Sequence, residues 1–175
     1  MLSRDTGFSR SYGQNPYGGY DRADNPPFLF DGELDGRLAA KDRVVDVSID
    51  GVTAVFPFLT LEEERGVNYT ANNQDLAIFF KSGTLSALDK GSIKNSRDVG
   101  ATGVVERTVD GQNLTFRFDG ENFVDDQTAS IWNILGQAME GPPSGQQLKP
   151  IFHTNIYWFA IAEFRPDAMI HQGIG

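Results

Sequence analysis

Val44-Val45-Asp46-Val47-Ser48-Ile49-Asp50-Gly51-Val52-Thr53-Ala54-Val55-Phe56 spells out a β-hairpin residue by residue. Val45, Val47 and Ile49 alternate with Asp46 and Ser48, the period of two that puts one face of a strand on a core and the other on water. Asp50-Gly51 tolerates the positive φ of a tight turn, so the chain returns from Val52 to Phe56 beside itself. Pro57 lacks a backbone N–H and either ends the returning strand or marks a sheet edge.

The same Asp-Gly punctuation recurs at Asp31-Gly32, Asp35-Gly36, Asp110-Gly111 and Asp119-Gly120. A second hairpin is predicted from Val104, Val105 and Val109, through Asp110-Gly111, back along Leu114, Phe116 and Phe118. Leu76 to Phe80 is a continuous apolar run, the pattern of a strand buried on both faces. Short strands are expected at residues 130–132, 137–139 and 149–153. Thr60-Leu61-Glu62-Glu63 matches a capping box, with Gly66 placed to close a single helical turn. A second helix is predicted over Asn155 to Phe164, capped by Thr154 or Asn155 and stopped by Pro166. The resulting fold class is mainly β, with α+β as its variant: an irregular β-barrel or packed hairpin sheets carrying one or two short helices.

Residues 1–27 are rich in Gly, Ser, Asn, Pro and Tyr and have neither strand nor helix periodicity. They read as an extended arm ahead of a single β-rich domain over residues 28–175. Phe8, Tyr12, Tyr17 and Tyr20 give that arm large contact area, for docking on its own domain or for binding a partner.

The chain has 175 residues, enough to bury one core, and its 39% hydrophobic and 22% charged content is that of a globular domain. Its net charge of −9, from 24 acidic and 15 basic residues, disfavours nucleic acid as a partner. The start, Met1-Leu2-Ser3-Arg4-Asp5, shows no signal or transmembrane segment, so membrane association is expected only through a partner or a removed anchor. The cysteine count is zero, which rules out disulfides, thiolate metal sites and cysteine nucleophiles.

Familiar catalytic motifs are missing. There is no phosphate-binding G-x-x-x-x-G-K-[ST], no G-x-S-x-G and no H-E-x-x-H. His153 follows an apolar run and is placed either to act as a base or to satisfy a buried carbonyl; His171, near the chain end among glycines, is expected to be mobile. Asp119, Glu121, Asp125 and Asp126 surround one turn and supply the oxygen ligands that calcium uses, without the EF-hand spacing. Asn68-Tyr69-Thr70 and Asn113-Leu114-Thr115 match the N-glycosylation pattern but carry little weight, because so short a pattern recurs by chance. Trp132 and Trp158 read as core or rim aromatics.

Three stretches together resemble a prokaryotic family, the domain-of-unknown-function family numbered 3179. The first runs from Asn25-Pro26-Pro27-Phe28 through Asp35-Gly36-Arg37-Leu38 into the Val44 hairpin. The second joins Ser82-Gly83-Thr84 and Ser86-Ala87-Leu88-Asp89 to Arg97-Asp98-Val99-Gly100. The third links Val109-Asp110-Gly111 and Leu114-Thr115-Phe116 to Asp125, Thr128, Ser130 and Trp132, then to Gly136, Ala138, Gly141-Pro142 and Gly145, and ends at Trp158, Phe164 and Pro166-Asp167. The resemblance implies export or lipid anchoring, hence an extracytoplasmic setting, and no established activity. Many relatives carry a C-P-x-C-G-T-A-like segment; here the matching residues are Phe79-Phe80-Lys81-Ser82-Gly83-Thr84-Leu85. Serine cannot replace a thiolate as a redox centre or soft-metal ligand, so such chemistry does not carry over.

The leading expectation is a non-enzymatic binding or accessory domain of a larger extracytoplasmic assembly, joined through a protein partner or self-assembly, with no cofactor. One alternative is a hydrolytic or transfer enzyme using His153, Asp125 and Ser82 or Thr84; another is a calcium-stabilised structural domain.

Overall fold

The computed structural model describes Gly7, residues 17–28 and residues 30–173. Phe8 and Tyr12 therefore lie outside the described residues. The chain is mostly β, arranged as packed open sheets with two short helices rather than a closed barrel.

Strands β1 (Arg43–Ile49) and β2 (Val52–Pro57) form the predicted hairpin, in register from Val44 opposite Pro57 to Ile49 opposite Val52. Asp50 and Gly51 both take positive φ, at 47° and 84°, matching the right-handed twist of the flanking strands. Pro57 ends β2, and helix α1 (Phe58–Glu64) follows directly. The capping box does not form: the helix starts two residues before Thr60, no side chain caps it, and Arg65 rather than Gly66 closes it. Burial of Phe58 and Leu61 against the sheet decides where this turn begins, outweighing a local hydroxyl cap.

Gly66 opens β3 (Gly66–Ala71), which pairs with β4 (Gln74–Lys81) across an Asn72-Asn73 turn. Both asparagines have positive φ, so this is a hairpin of the Asp-Gly kind written with different residues. β4 is the central strand, with β5 (Ala101–Glu106) on its other side. Leu76, Ala77, Ile78 and Phe79 are wholly buried, as their unbroken apolar run requires.

The second predicted hairpin is divided. Only β6 (Thr108–Val109) and β7 (Gln112–Asn113) pair across Asp110-Gly111. Leu114 and Phe116 instead lead into β8 (Phe116–Phe118), which turns at residues 119–122 into β9 (Phe123–Asp125), followed by β10 (Ile131–Trp132) and β11 (Ala138–Glu140). A separate aromatic core draws them there: Phe79, Phe116, Phe123 and Trp132 pack together, with the Phe79 and Phe123 rings stacked at 4.3 Å.

Residues 149–153 do not form the predicted strand, yet they cover the edge of β5: Ile151 donates to the Val104 carbonyl and Glu106 to that of Lys149. The predicted second helix is half strand. Thr154–Tyr157 is β12, antiparallel to β1, and only Trp158–Phe164 is helix α2. An open edge on β1 offers these four residues ladder bonds that outweigh their helical pattern. β13 (Met169–Ile170) then adds to β2 in parallel, giving the order β12-β1-β2-β13. Among the described residues no helix is long and apolar enough to cross a membrane.

Candidate functional site

Asp21 is the centre of a buried polar cluster. The arm residues from Tyr17 onward lie against the domain, where Gly19 donates its N–H to the carbonyls of Leu88 and Asp89. This brings Asp21, only 1% exposed, between β1 and the loop that follows β4. Its Oδ2 meets Arg43 Nη2 at 3.4 Å and Arg97 Nη2 at 3.3 Å and accepts a short hydrogen bond from the Ser86 hydroxyl. Arg97 also donates to the Asp21 carbonyl at 2.5 Å. Lys41, 2% exposed, donates to the Tyr20 carbonyl at 2.6 Å and sits 3.8 Å above the Tyr20 ring. Burial lowers the pKa of Lys41, against the raising influence of Asp21 and Asp24.

Beside this hub opens a cleft of about 300 Å³. Its charged lining mixes cations (Lys41, Arg43, Arg97) with acids (Asp21, Asp42, Glu62), and Pro57, Phe58, Leu59, Phe80 and Val99 form its apolar wall. Ser82 and Asp98 stand at the same opening. Asp98 accepts hydrogen bonds from the backbone N–H groups of Gly100, Gly83 and Thr84, which hold its carboxyl below the usual aspartate range. Ser82 accepts from Arg65 Nη1 at 2.6 Å. Arg65 itself has φ of 63°, a left-handed conformation that costs energy in a residue with a Cβ.

The weak catalytic candidates have separate partners. Ser82 lines the cleft; Thr84 does not, and only donates its amide to Asp98, which does. His153 is half-buried with Nδ1 3.0 Å from the Ile151 carbonyl oxygen, the bland role open to it in sequence, and it does not line the cleft. Asp125 is fully buried in another sheet, where it accepts from the Trp132 indole at 2.8 Å, the Thr128 hydroxyl and amide, and the Ser130 amide.

The acidic turn is likewise dispersed. Asp119 accepts from the amides of Glu121 and Asn122, Asp126 pairs with Arg117, and Asp125 faces inward. Among the described residues no group of three or more His, Asp or Glu is disposed to hold a metal ion. His171 is not a loose end: Nε2 lies 2.8 Å from Glu64 Oε2, and its ring packs on Phe56 and Tyr69. Tyr20 is engaged with Tyr17, Phe28 and Tyr157 as well as Lys41, and Tyr17 is 57% exposed. Asn68, in the first glycosylation pattern, donates to the Phe116 carbonyl and accepts from the Phe116 amide.

Lys41, Arg43, Asp21 and Arg97 drew no attention as a group in sequence. A signal did exist: a lysine and an arginine flanking the entrance to an apolar strand. It does not say what they face.

Phe79 and Ser82, the positions that the resemblance sets against cysteine, differ in surroundings. Phe79 is sealed between Phe116 and Phe123, and Ser82 opens on the cleft. The chain belongs to the family described as Protein of unknown function (DUF3179), whose model matches residues 1–168. No curated protein and no solved structure matches it.

Proposed function

We propose that this chain is a non-catalytic binding domain whose ligand seat is the cleft beneath the arm, serving as an accessory component of a larger extracytoplasmic assembly. The observation that carries the reading is the cleft's composition: one charged wall, one apolar wall, a volume at the lower end of small-molecule sites, and no imidazole beside its serine. A hydroxyl that accepts from a guanidinium, with no imidazole beside it and with Asp98 held by backbone amides, is placed to bind rather than to attack. The extracytoplasmic setting rests on the family resemblance alone.

The test is ligand recovery. The protein is incubated with a small-molecule extract of its source, washed and denatured, and the released compounds are identified by mass spectrometry. One compound, chemically unchanged and near stoichiometric, is expected from the native chain and not from Leu59→Trp, which crowds the cleft mouth. Recovery of a transformed compound, or equal recovery from both proteins, overturns the reading.

A further inference from the structure

Residues 17–28 are seated on the domain as a peptide would be. Within them Tyr20 donates its amide to the Tyr17 carbonyl, Arg22 to that of Gly19 and Asn25 to that of Arg22, and the Asn25 side chain returns to the Gly19 carbonyl at 3.0 Å. The Tyr20 ring packs edge-on against Tyr17 and Phe28. The segment therefore carries its own shape. Among the described residues none of it joins an apolar core, and within it only Asp21 and Pro27 are buried. Residues 31–34, which tie it to the domain, are exposed, belong to no strand or helix, and make no hydrogen bond among the described residues. Such a segment can leave its seat without opening the core.

The seat is built without the arm. Arg43 belongs to β1, the Ser86 amide donates to the Arg97 carbonyl at 2.9 Å, and the Arg97 amide donates to Asp89. Two adjacent arm residues are read by it. Lys41 lies over the Tyr20 ring and donates to its carbonyl, with the Tyr157 ring edge-on. Arg43, Arg97 and the Ser86 hydroxyl hold the Asp21 carboxylate, and Arg97 also holds the Asp21 carbonyl. The Gly19 amide, shared by the Leu88 and Asp89 carbonyls, sets the register. Other acids nearby have partners of their own: Asp42 accepts from the Ala39 amide, Asp89 from Arg97 and Asp98 from three backbone amides.

We infer that Lys41, Arg43, Ser86 and Arg97 form a peptide-recognition seat for tyrosine followed by aspartate, filled here by the chain's own arm, and that the partner it fits is the same segment of a second copy of this chain. The second copy carries a segment that already matches the seat, and residues 31–34 supply the hinge that arm exchange needs. Asp21 and Ala23 line the cleft, so in an exchanged pair each copy completes the cleft wall of the other. The inference holds whatever the cleft itself binds.

In the unaltered chain the tether gives the resident arm an effective concentration on the order of millimolar, which masks exchange at lower protein concentrations. Two full-chain variants separate arm from seat. Asp21→Asn spoils the arm and leaves the seat; Arg97→Glu, at a partly exposed position, spoils the seat and leaves the arm. Native mass spectrometry of their mixture is expected to show a mixed dimer at least about tenfold more abundant than either homodimer, the effect of one charged hydrogen bond, and its share should fall as salt is raised. Gly19→Pro, which deletes the amide shared by Leu88 and Asp89, serves as a second arm variant, and Arg97→Gln as a milder seat variant should the far-ultraviolet spectrum of Arg97→Glu change. A mixed dimer no more abundant than the homodimers overturns the inference. So does equal pairing when Asp21→Asn is mixed with the double variant Asp21→Asn/Arg97→Glu, a mixture in which neither chain has an intact arm.

Discussion

Asp125 has no exposed surface, and burial alone would push its carboxyl toward the neutral form. Hydrogen bonds from Trp132, Thr128 and Ser130 outweigh that cost and hold its pKa below the usual value. A carboxyl depressed in the folded state contributes stability that is complete above its unfolded pKa of about 3.9 and is lost as pH falls through the folded value. Asp125→Asn turns an acceptor-only group into one with donors facing donors, and is expected to cost about 3 kcal/mol at pH 7 by urea denaturation. The gap between the two proteins should narrow as pH falls below about 4. A gap that stays constant from pH 7 to pH 3 would show that ionisation plays no part. The same residue shows what the sequence concealed. Four acids around a turn suggest a cation, but whether a carboxylate faces water or an indole depends on Trp132, which reaches it from the next strand of the sheet.

At the scale of elements, hairpins with tight Asp-Gly turns were legible wherever strand alternation flanked them, because turn and period are both local properties. The β3–β4 hairpin was missed because Asn72-Asn73 does the work of Asp-Gly. Residues 154–157 were misread as helix because β1 has an edge that only the folded chain reveals. Packing between elements is equally hidden. β5 runs so close to the loop after β10 that a Cβ at Gly103 would collide with the Ile134 carbonyl, a backbone atom that cannot swing aside. Gly103→Ala is therefore expected to cost about 2–3 kcal/mol although its φ is ordinary, read as a lower thermal midpoint. An unchanged midpoint would mean that the loop yields without penalty.

For the molecule as a whole, the open question is what makes separate sheets one body. Asn68 on β3 exchanges two hydrogen bonds with the backbone of Phe116 on β8, while the Phe79 ring of β4 packs into the core beneath β8 and β9. Asn68→Ala is expected to cost about 2 kcal/mol, by leaving both groups of Phe116 unpaired. It should also speed amide exchange in β8 to β11 more than in β1 and β2. Uniform acceleration would show that the sheets open together and that this contact is not their joint.

The sequence by itself determined the β class, the turns at Asp50-Gly51 and Asp110-Gly111, the buried character of residues 76–80 and the absence of thiol chemistry. Each is carried by neighbouring residues or by composition. The tertiary structure alone decided the cleft. Asp21 meets residues 22, 65 and 76 positions further along the chain, and no periodicity links charges that far apart. They come together because the arm lies down on the domain, and that follows from packing and hydrogen bonding that no local pattern records.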